Sequence, residues 1–400
     1  TAGAGQSKTY TGFTFEENKT DDSTGIIPGE GTLVLKLYYS RNKYNVTFSG
    51  TDADDRTVEI PYQGSVDEPE APVKAGYTFN GWYVIAESSR LWNFGSDVIT
   101  GATELRAEWS ANSYNVTFDR QNGAGGDGNV QATYDSAMPA IEVPARAGYQ
   151  FDGYYDQTEG GTKYYNADGS SAANWNKTGD ATLYAQWAAN TYQVTFNANG
   201  GEGSMDAENF TYGEEKALST NSFTKTGYVF AGWTTEANAG EVKYTDGAGV
   251  SSLTTEQGGN VNLYAVWEPI TYKVVFNGNG ADSGSMEDQQ ITYDTMAVLS
   301  QIGYEKTGYH FLGWARTSTA KTKDYDNQQS VSNLADTEGS TVTLYAVWEA
   351  NTYTVAFHAN GGTGSEMEAQ SFTYDEAAKA LSENQYSRTG YSFEGWAATD

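Results

Sequence analysis

Tyr192-Gln193-Val194-Thr195-Phe196-Asn197-Ala198-Asn199-Gly200-Gly201 reads as a strand followed by a turn. Large apolar side chains alternate with polar ones as far as Phe196, the period of a strand with one buried face. Asn199-Gly200 then stands where left-handed backbone is needed, which marks a hairpin loop. The same Tyr-x-Val-x-Phe opening recurs at Tyr44, Tyr114, Tyr272 and Tyr353. A second signature, Gly-Tyr-x-Phe-x-Gly-Trp, occupies 76–82, 227–233, 308–314 and 390–396, and 148–154 with Tyr154 in place of the tryptophan. A third, Leu-x-Ala-x-Trp, closes the units at 105–109, 183–187, 263–267 and 344–348. Successive opening tyrosines lie 70, 78, 80 and 81 residues apart. That period is longer than a solenoid repeat and suits a small independent domain.

Within a unit, the first strand and its turn lead to a second strand ending at a recurring tyrosine: Tyr62, Tyr134, Tyr212, Tyr293 or Tyr374. A short helix is expected next. Asp294 would cap the segment 295–299 and Asp375 the segment 376–381, while Pro139 and Pro144 reduce the helix of the second unit to a turn. In the Gly-Tyr strand, Tyr228 and Phe230 share one face and Trp233 has the opposite parity, so Gly232 marks a bulge. Whether Trp233 returns to the core or covers the other face is left open by the pattern. Hairpin, short helix and further strands is the order of a β-grasp fold, with first and last strands parallel at the sheet centre. The fold class expected is therefore α+β and β-rich, as tandem ubiquitin-like β-grasp domains forming an elongated rod. The boundaries expected are 1–39 for the back part of a preceding module, 44–109, 114–187, 192–267, 272–348, and 353–400 for a repeat lacking its last strand. Gly12-Phe13-Thr14-Phe15 and an apolar strand over Leu33 to Tyr39 belong to the partial first module. Four-residue connections without glycine, such as 110–113 and 268–271, argue against flexible linkers. The incomplete units at both ends suggest a window from a longer protein.

The three motifs in register resemble the Listeria–Bacteroides repeat family, the B-repeat type of internalin-like surface proteins. The match is best over 192–267 and 272–348, and weakest in the first unit, where Ser49-Gly50-Thr51 replaces the Asn-Gly-Gly turn. Residues 1–39 resemble the tail of a mucin-binding-type module. The resemblance implies β-grasp modules in the extracellular part of bacterial surface proteins, with no catalytic residues to carry over.

Aromatic residues make up 14 % of the chain, so the cores must be built largely from rings. The formal charge of −29 repels phosphates and anionic lipid, which argues against nucleic-acid or membrane-surface binding. Without cysteine there are no disulfides, thiolate nucleophiles or zinc–sulfur sites. No apolar run is long enough for a membrane span, and the first residues do not form a signal peptide.

Little in the pattern points to chemistry. The two histidines, His310 and His358, stand where other units have Val229 and Asn197, so neither belongs to a site common to all repeats. The carboxylate groups at Asp52, Asp54 and Asp55, at Asp324 and Asp326, and around Asp168 lack the spacing of a calcium loop and read as turn acids. Gly123-Ala124-Gly125-Gly126 has no following lysine and is no phosphate loop. No catalytic residue, metal site or cofactor is expected, and the protein is not expected to be an enzyme. Tyr154, Tyr164 and Tyr165 depart from the strand-core spacing and are the candidate ligand surface. The function expected is a non-catalytic stalk or interaction segment at a bacterial surface, extracellular or secreted and monomeric. The alternative is that the repeats are themselves adhesin modules. The expected partner class is a protein or glycan of a host or neighbouring cell.

Overall fold

The computed structural model describes residues 2–3, 7–19, 24–25, 29, 34, 36–87 and 90–398. Two compact units divide the chain, Thr1–Asn190 and Thr191–Asp400. Both are nearly all β, and the helical turns among the described residues are the 3-10 turns Glu17–Lys19 and Ile85–Glu87.

The first unit holds two five-stranded sheets. One runs in the spatial order Arg56–Pro61, Lys43–Ser49, Thr103–Ala111, Tyr77–Val84 and Arg90–Leu91. The other runs Asn129–Thr133, Ser113–Asp119, Ala181–Ala189, Tyr149–Tyr155 and Lys163–Tyr165. In each, the first strand of the repeat pairs in parallel with the closing strand at the sheet centre, and the remaining pairs are antiparallel. Ahead of them, Phe13–Phe15 pairs with Tyr39–Arg41. Of the strand expected over Leu33 to Tyr39, Leu33 and Leu35 lie outside the described residues, and the strand observed begins at Tyr39.

The second unit repeats the plan with four strands: Glu208–Thr211, Thr191–Asn197, Asn260–Pro269 and Tyr228–Thr234, then Gln289–Thr292, Thr271–Asn277, Thr341–Ala350 and Tyr309–Ala315. First and closing strands are again parallel. The strand pair Thr352–Val355 and Gln370–Thr373 belongs to the fifth repeat.

The expected helices are absent. Asp294 and Asp375 have φ of +58° and +60°, so they reverse the chain in left-handed backbone instead of capping a helix. After Asp294 the chain runs extended, Ala297–Val298 pairs with Ser330–Val331, and the Leu299 amide donates to Gln329 O at 2.9 Å. A helix of five or six residues would leave most of its backbone groups unpaired and is marginal at that length. Bridging to a neighbouring strand satisfies those groups, and Leu299 still reaches the core. The third repeat does the same, with Leu218 N donating to Ala248 O.

Core residues fall into four separate clusters, one for each of the first four repeats. The bulge resolves the parity of Trp233: register shifts between Phe230 and Gly232, where φ is +152°, and the indole turns into the core against Phe196 and Phe230. The closing tryptophan has a different task. Trp267 Nε1 donates to Ala198 O of the first turn at 2.8 Å, and Trp109, Trp187 and Trp348 donate to Gly50, Arg120 and Gly278 in the same way. Asn199 also ties this turn to the closing strand, its side-chain amide donating to Ala265 O at 2.8 Å. This is a second use of the Asn-Gly turn, beyond its left-handed φ of +48° and +87°.

The short connections are not linkers. A single residue, Asn112, separates the closing strand Thr103–Ala111 from the next first strand Ser113–Asp119, and Ile270 does so between Asn260–Pro269 and Thr271–Asn277.

Candidate functional site at the repeat junctions

The feature that recurs most closely outside the cores lies where one repeat meets the next within each unit. At the junction of the third and fourth repeats, Gly227 has φ +75° and the ring of Tyr293 lies against it; a β-carbon at Gly227 would stand 2.3 Å from that ring. Tyr228 meets Tyr293 edge-on, with ring centroids 5.9 Å apart. The Tyr228 phenol donates to Asp294 Oδ2 at 2.7 Å, and Lys225 Nζ sits 3.9 Å from the centroid of the Tyr228 ring. Asn333 holds Asp294 from the other side: its amide donates to Oδ1 at 2.8 Å, and its own oxygen accepts from the Asp294 backbone N–H at 2.7 Å. Two backbone bonds close the joint, Ile270 N to Gly227 O and Tyr293 N to Ile270 O.

The arrangement repeats with Lys306, Gly308, Tyr309, Tyr374 and Asp375, where the phenol–carboxylate bond is 3.1 Å. It repeats in the first unit with Lys74, Gly76, Tyr77, Tyr134 and Asp135, where that bond is 3.3 Å. At the first joint, Tyr62 covers Gly12 but Gln63 follows it, so no carboxylate is supplied there.

Hydrogen bonding sets the electrostatics of this group. The Asn333 amide, then the Tyr228 phenol, hold the Asp294 carboxyl below the usual range, and the bond to Asp294 pushes the Tyr228 phenol up. At Tyr77, burial is the first cause of the upward shift and Asp135 the second. A phenol raised above its ordinary value beside a carboxylate held below its own is a proton kept in place. The group anchors rather than transfers.

The tyrosines proposed from sequence as a ligand surface are core residues. Tyr154 and Tyr165 are wholly buried and Tyr164 is 1 % exposed. Tyr154 stacks on Phe118 at 4.4 Å, and burial pushes its phenol up to about 12. Burial also raises the Tyr165 phenol, which packs edge-on to Phe118. Tyr164 packs on Trp175 and donates to Asn176 Oδ1 at 2.6 Å. The corrective signal was in the sequence: Tyr154 holds the place of Trp233 and Trp314, and Tyr165 pairs with it as Tyr244 and Tyr325 pair with those tryptophans.

The turn acids have local partners. Asp168 accepts from Ser170, which holds its carboxyl below the usual range, and Asp324 accepts from the Arg316 backbone N–H. Among the described residues no group of three or more His, Asp and Glu is arranged to hold a metal ion. An open groove of about 740 Å³ lies beside His310, Glu349, Asn351 and Thr373, and one of about 280 Å³ beside the turn at 278–284. Both histidines are exposed, His310 on its strand and His358 in its turn. The junction residues had a signal that sequence reasoning passed over: Lys or Arg three residues before the Gly-Tyr tyrosine, and Asp after the recurring one.

A tandem array of small β modules, the first four each with an aromatic core of its own, in which a joint of Gly, two Tyr and Asp recurs three times, defines a repeat protein. The chain belongs to the Listeria-Bacteroides repeat domain family, which it matches over residues 44–108, 114–186, 192–266, 272–347 and 353–400. It is 31 % identical over 93 % of its length to a protein of Evansella cellulosilytica provisionally named a Gly-rich membrane protein, and covers 40 % of that protein. It is 34 % identical over 44 % of its length to Internalin H of Listeria monocytogenes, covering 30 % of it. The chain thus spans less than half the length of these relatives. Among solved structures, the Bacillus anthracis TIE protein aligns over 86 % of this chain and 76 % of its own at 9 % identity, with a TM-score of 0.26. No helix among the described residues is long and apolar enough to cross a membrane.

Proposed function

We propose that this chain is the spacer segment of a bacterial surface protein. It is non-catalytic and extracellular, and it carries other domains at a distance set by its repeats. The observation that carries the reading is the junction. A connection of one residue between strands, two backbone hydrogen bonds and a tyrosine seated on a glycine recur at Gly12, Gly76, Gly227 and Gly308. Such a joint restrains each repeat against its neighbour far more than a Gly/Ser linker would. Each module is read as a β-grasp in which an extended bridge replaces the helix, the parallel central pair being the feature retained. Residues 1–39 are read as the tail of a mucin-binding-like module.

The adhesin alternative would use glycan stacking or strand addition to a sheet edge. The rings singled out for stacking are buried. At two edge strands lysines occupy the outward carbonyls, Lys216 Nζ on Asn209 O and Lys379 Nζ on Ser371 O, each at 2.9 Å. A blocked edge discourages pairing with another chain. These points favour the spacer, with any protein or glycan partner engaged by other domains, and the segment monomeric.

Small-angle scattering of the whole chain tests the reading. A maximum dimension that grows in proportion to the number of repeats supports it, and a compact particle overturns it. Saturable binding of the chain to a glycan or matrix-protein array would favour the adhesin.

A further inference from the structure

The joint between the fourth and fifth repeats carries a side chain that the other described joints lack. The second residue after the glycine is Thr14, Thr78 or Val229 at the joints of Gly12, Gly76 and Gly227, and here it is His310. At the first two of those joints the threonine hydroxyl donates to the oxygen of the single connecting residue, Thr14 to Asn42 Oδ1 at 2.5 Å and Thr78 to Asn112 Oδ1 at 2.6 Å. Where the position is Val229, the connecting residue is the apolar Ile270, buried at 2 % exposure. His310 meets Asn351 Oδ1 with Nδ1 at 2.9 Å, and Glu349 Oε2 with Nε2 at 3.0 Å.

We propose that His310 is a proton-operated clamp on this joint, closed when the imidazole is protonated. Both neighbours present acceptor oxygens, and a neutral imidazole has one N–H. It can donate to Asn351 or to Glu349, while its other nitrogen then faces an oxygen lone pair. Imidazolium donates to both. Glu349 belongs to the closing strand of the fourth repeat. Asn351 is the connecting residue, whose N–H donates to Gly308 O and whose carbonyl accepts from Tyr374 N. Protonation therefore ties the Gly-Tyr strand to the residue that carries both backbone bonds of the joint.

The other groups facing this place are Thr352 and Thr373, which line the groove with them. Glu376 accepts from the Thr373 N–H, and Asp375 is engaged by the Tyr309 phenol. Lys306 is stacked on the Tyr309 ring. Glu349 is thus the carboxylate in contact with the imidazole, and the neighbouring charges have partners of their own. The pair is exposed, so the effect is small: the contribution of such a pair converts to a roughly two- to fivefold change in local opening.

Amide hydrogen exchange of the whole chain, followed by NMR at about pH 8 and about pH 5.5 and corrected for intrinsic exchange, tests the clamp. The Asn351 and Tyr374 amides are expected to gain roughly two- to fivefold protection at the lower pH, with the corresponding Asn112 and Tyr134 amides unchanged. His310→Thr, which installs the residue of the first two joints, should abolish the gain, and so should Glu349→Gln. Both variants keep His358, so a response that survives in them belongs elsewhere in the molecule and overturns the proposal. Equal protection at both pH values in the parent chain also overturns it. Unchanged exchange in the buried Tyr272 and Leu344 amides shows that each variant is folded.

Discussion

The phenol of Tyr228 in the third repeat donates to the carboxylate of Asp294 in the fourth at 2.7 Å, across a joint made by one connecting residue. Tyr77 with Asp135 and Tyr309 with Asp375 form the same bond. A contact between neighbouring repeats that recurs with the same residue types is part of the architecture, and it can be tested apart from the cores.

Its pH dependence has a definite sign. The Asp294 carboxyl is held low, so its contribution is present above the ordinary aspartate range and is lost as pH falls through the folded-state value. The Tyr228 phenol is raised, so its contribution is complete below the ordinary phenol range and is lost as pH rises through its folded-state value. Protection of the Ile270 and Tyr293 amides should therefore be greatest between these limits. Tyr228→Phe should flatten the alkaline limb and Asp294→Asn the acid one, as followed by hydrogen exchange.

Gly227→Ala should open the same joint by a different route. The substitution places a methyl group 2.3 Å from the Tyr293 ring and adds the strain of φ +75°, an expected cost of about 1–3 kcal/mol. Gly390→Ala is the comparison: it has the same left-handed backbone, φ +83°, with nothing within 4 Å. Chemical denaturation of both variants should show Gly227→Ala as the more damaging, and equal losses would mean that the tyrosine ring moves aside freely.

Tyr154→Phe and Tyr165→Phe should raise stability by about 1 kcal/mol each, because both hydroxyls are buried without a hydrogen-bond partner. Trp233→Ala, which empties a fully buried site, should lose about 3–5 kcal/mol. Urea unfolding curves provide the measure. A loss in the tyrosine variants would show that the hydroxyls have a role in the core.

Lys216→Ala and Lys379→Ala should increase self-association, since each exposes a carbonyl on an edge strand. Light scattering against concentration would detect it. Monomeric variants would show that other features protect these edges.

Much of the fold was legible because alternation and turn chemistry are local. Tyr192, Val194 and Phe196 face one core as their spacing requires, and Asn199-Gly200 adopts the left-handed turn. The short helix failed for a reason that local signals do not carry. Asp294 and Asp375 look like caps, and their side chains are instead committed to a tyrosine some 66 residues away. Tyr154 and Tyr165 were singled out because they depart from the recurring core spacing; the register shift between Phe151 and Gly153 turns Tyr154 inward, and Tyr165 pairs with it from the neighbouring strand.

By itself the sequence determined the number and period of the repeats, the strand that opens and the strand that closes each one, and the resemblance to the Listeria-Bacteroides repeat family. These follow from side-chain alternation and from glycine placement, which act over a few residues. The tertiary structure alone decided which rings fill cores, what the aspartates hold, and that the connections are joints rather than linkers. Each of those depends on groups distant in the chain arriving within bonding distance, and only the folded backbone, with its bulges and left-handed turns, brings them there.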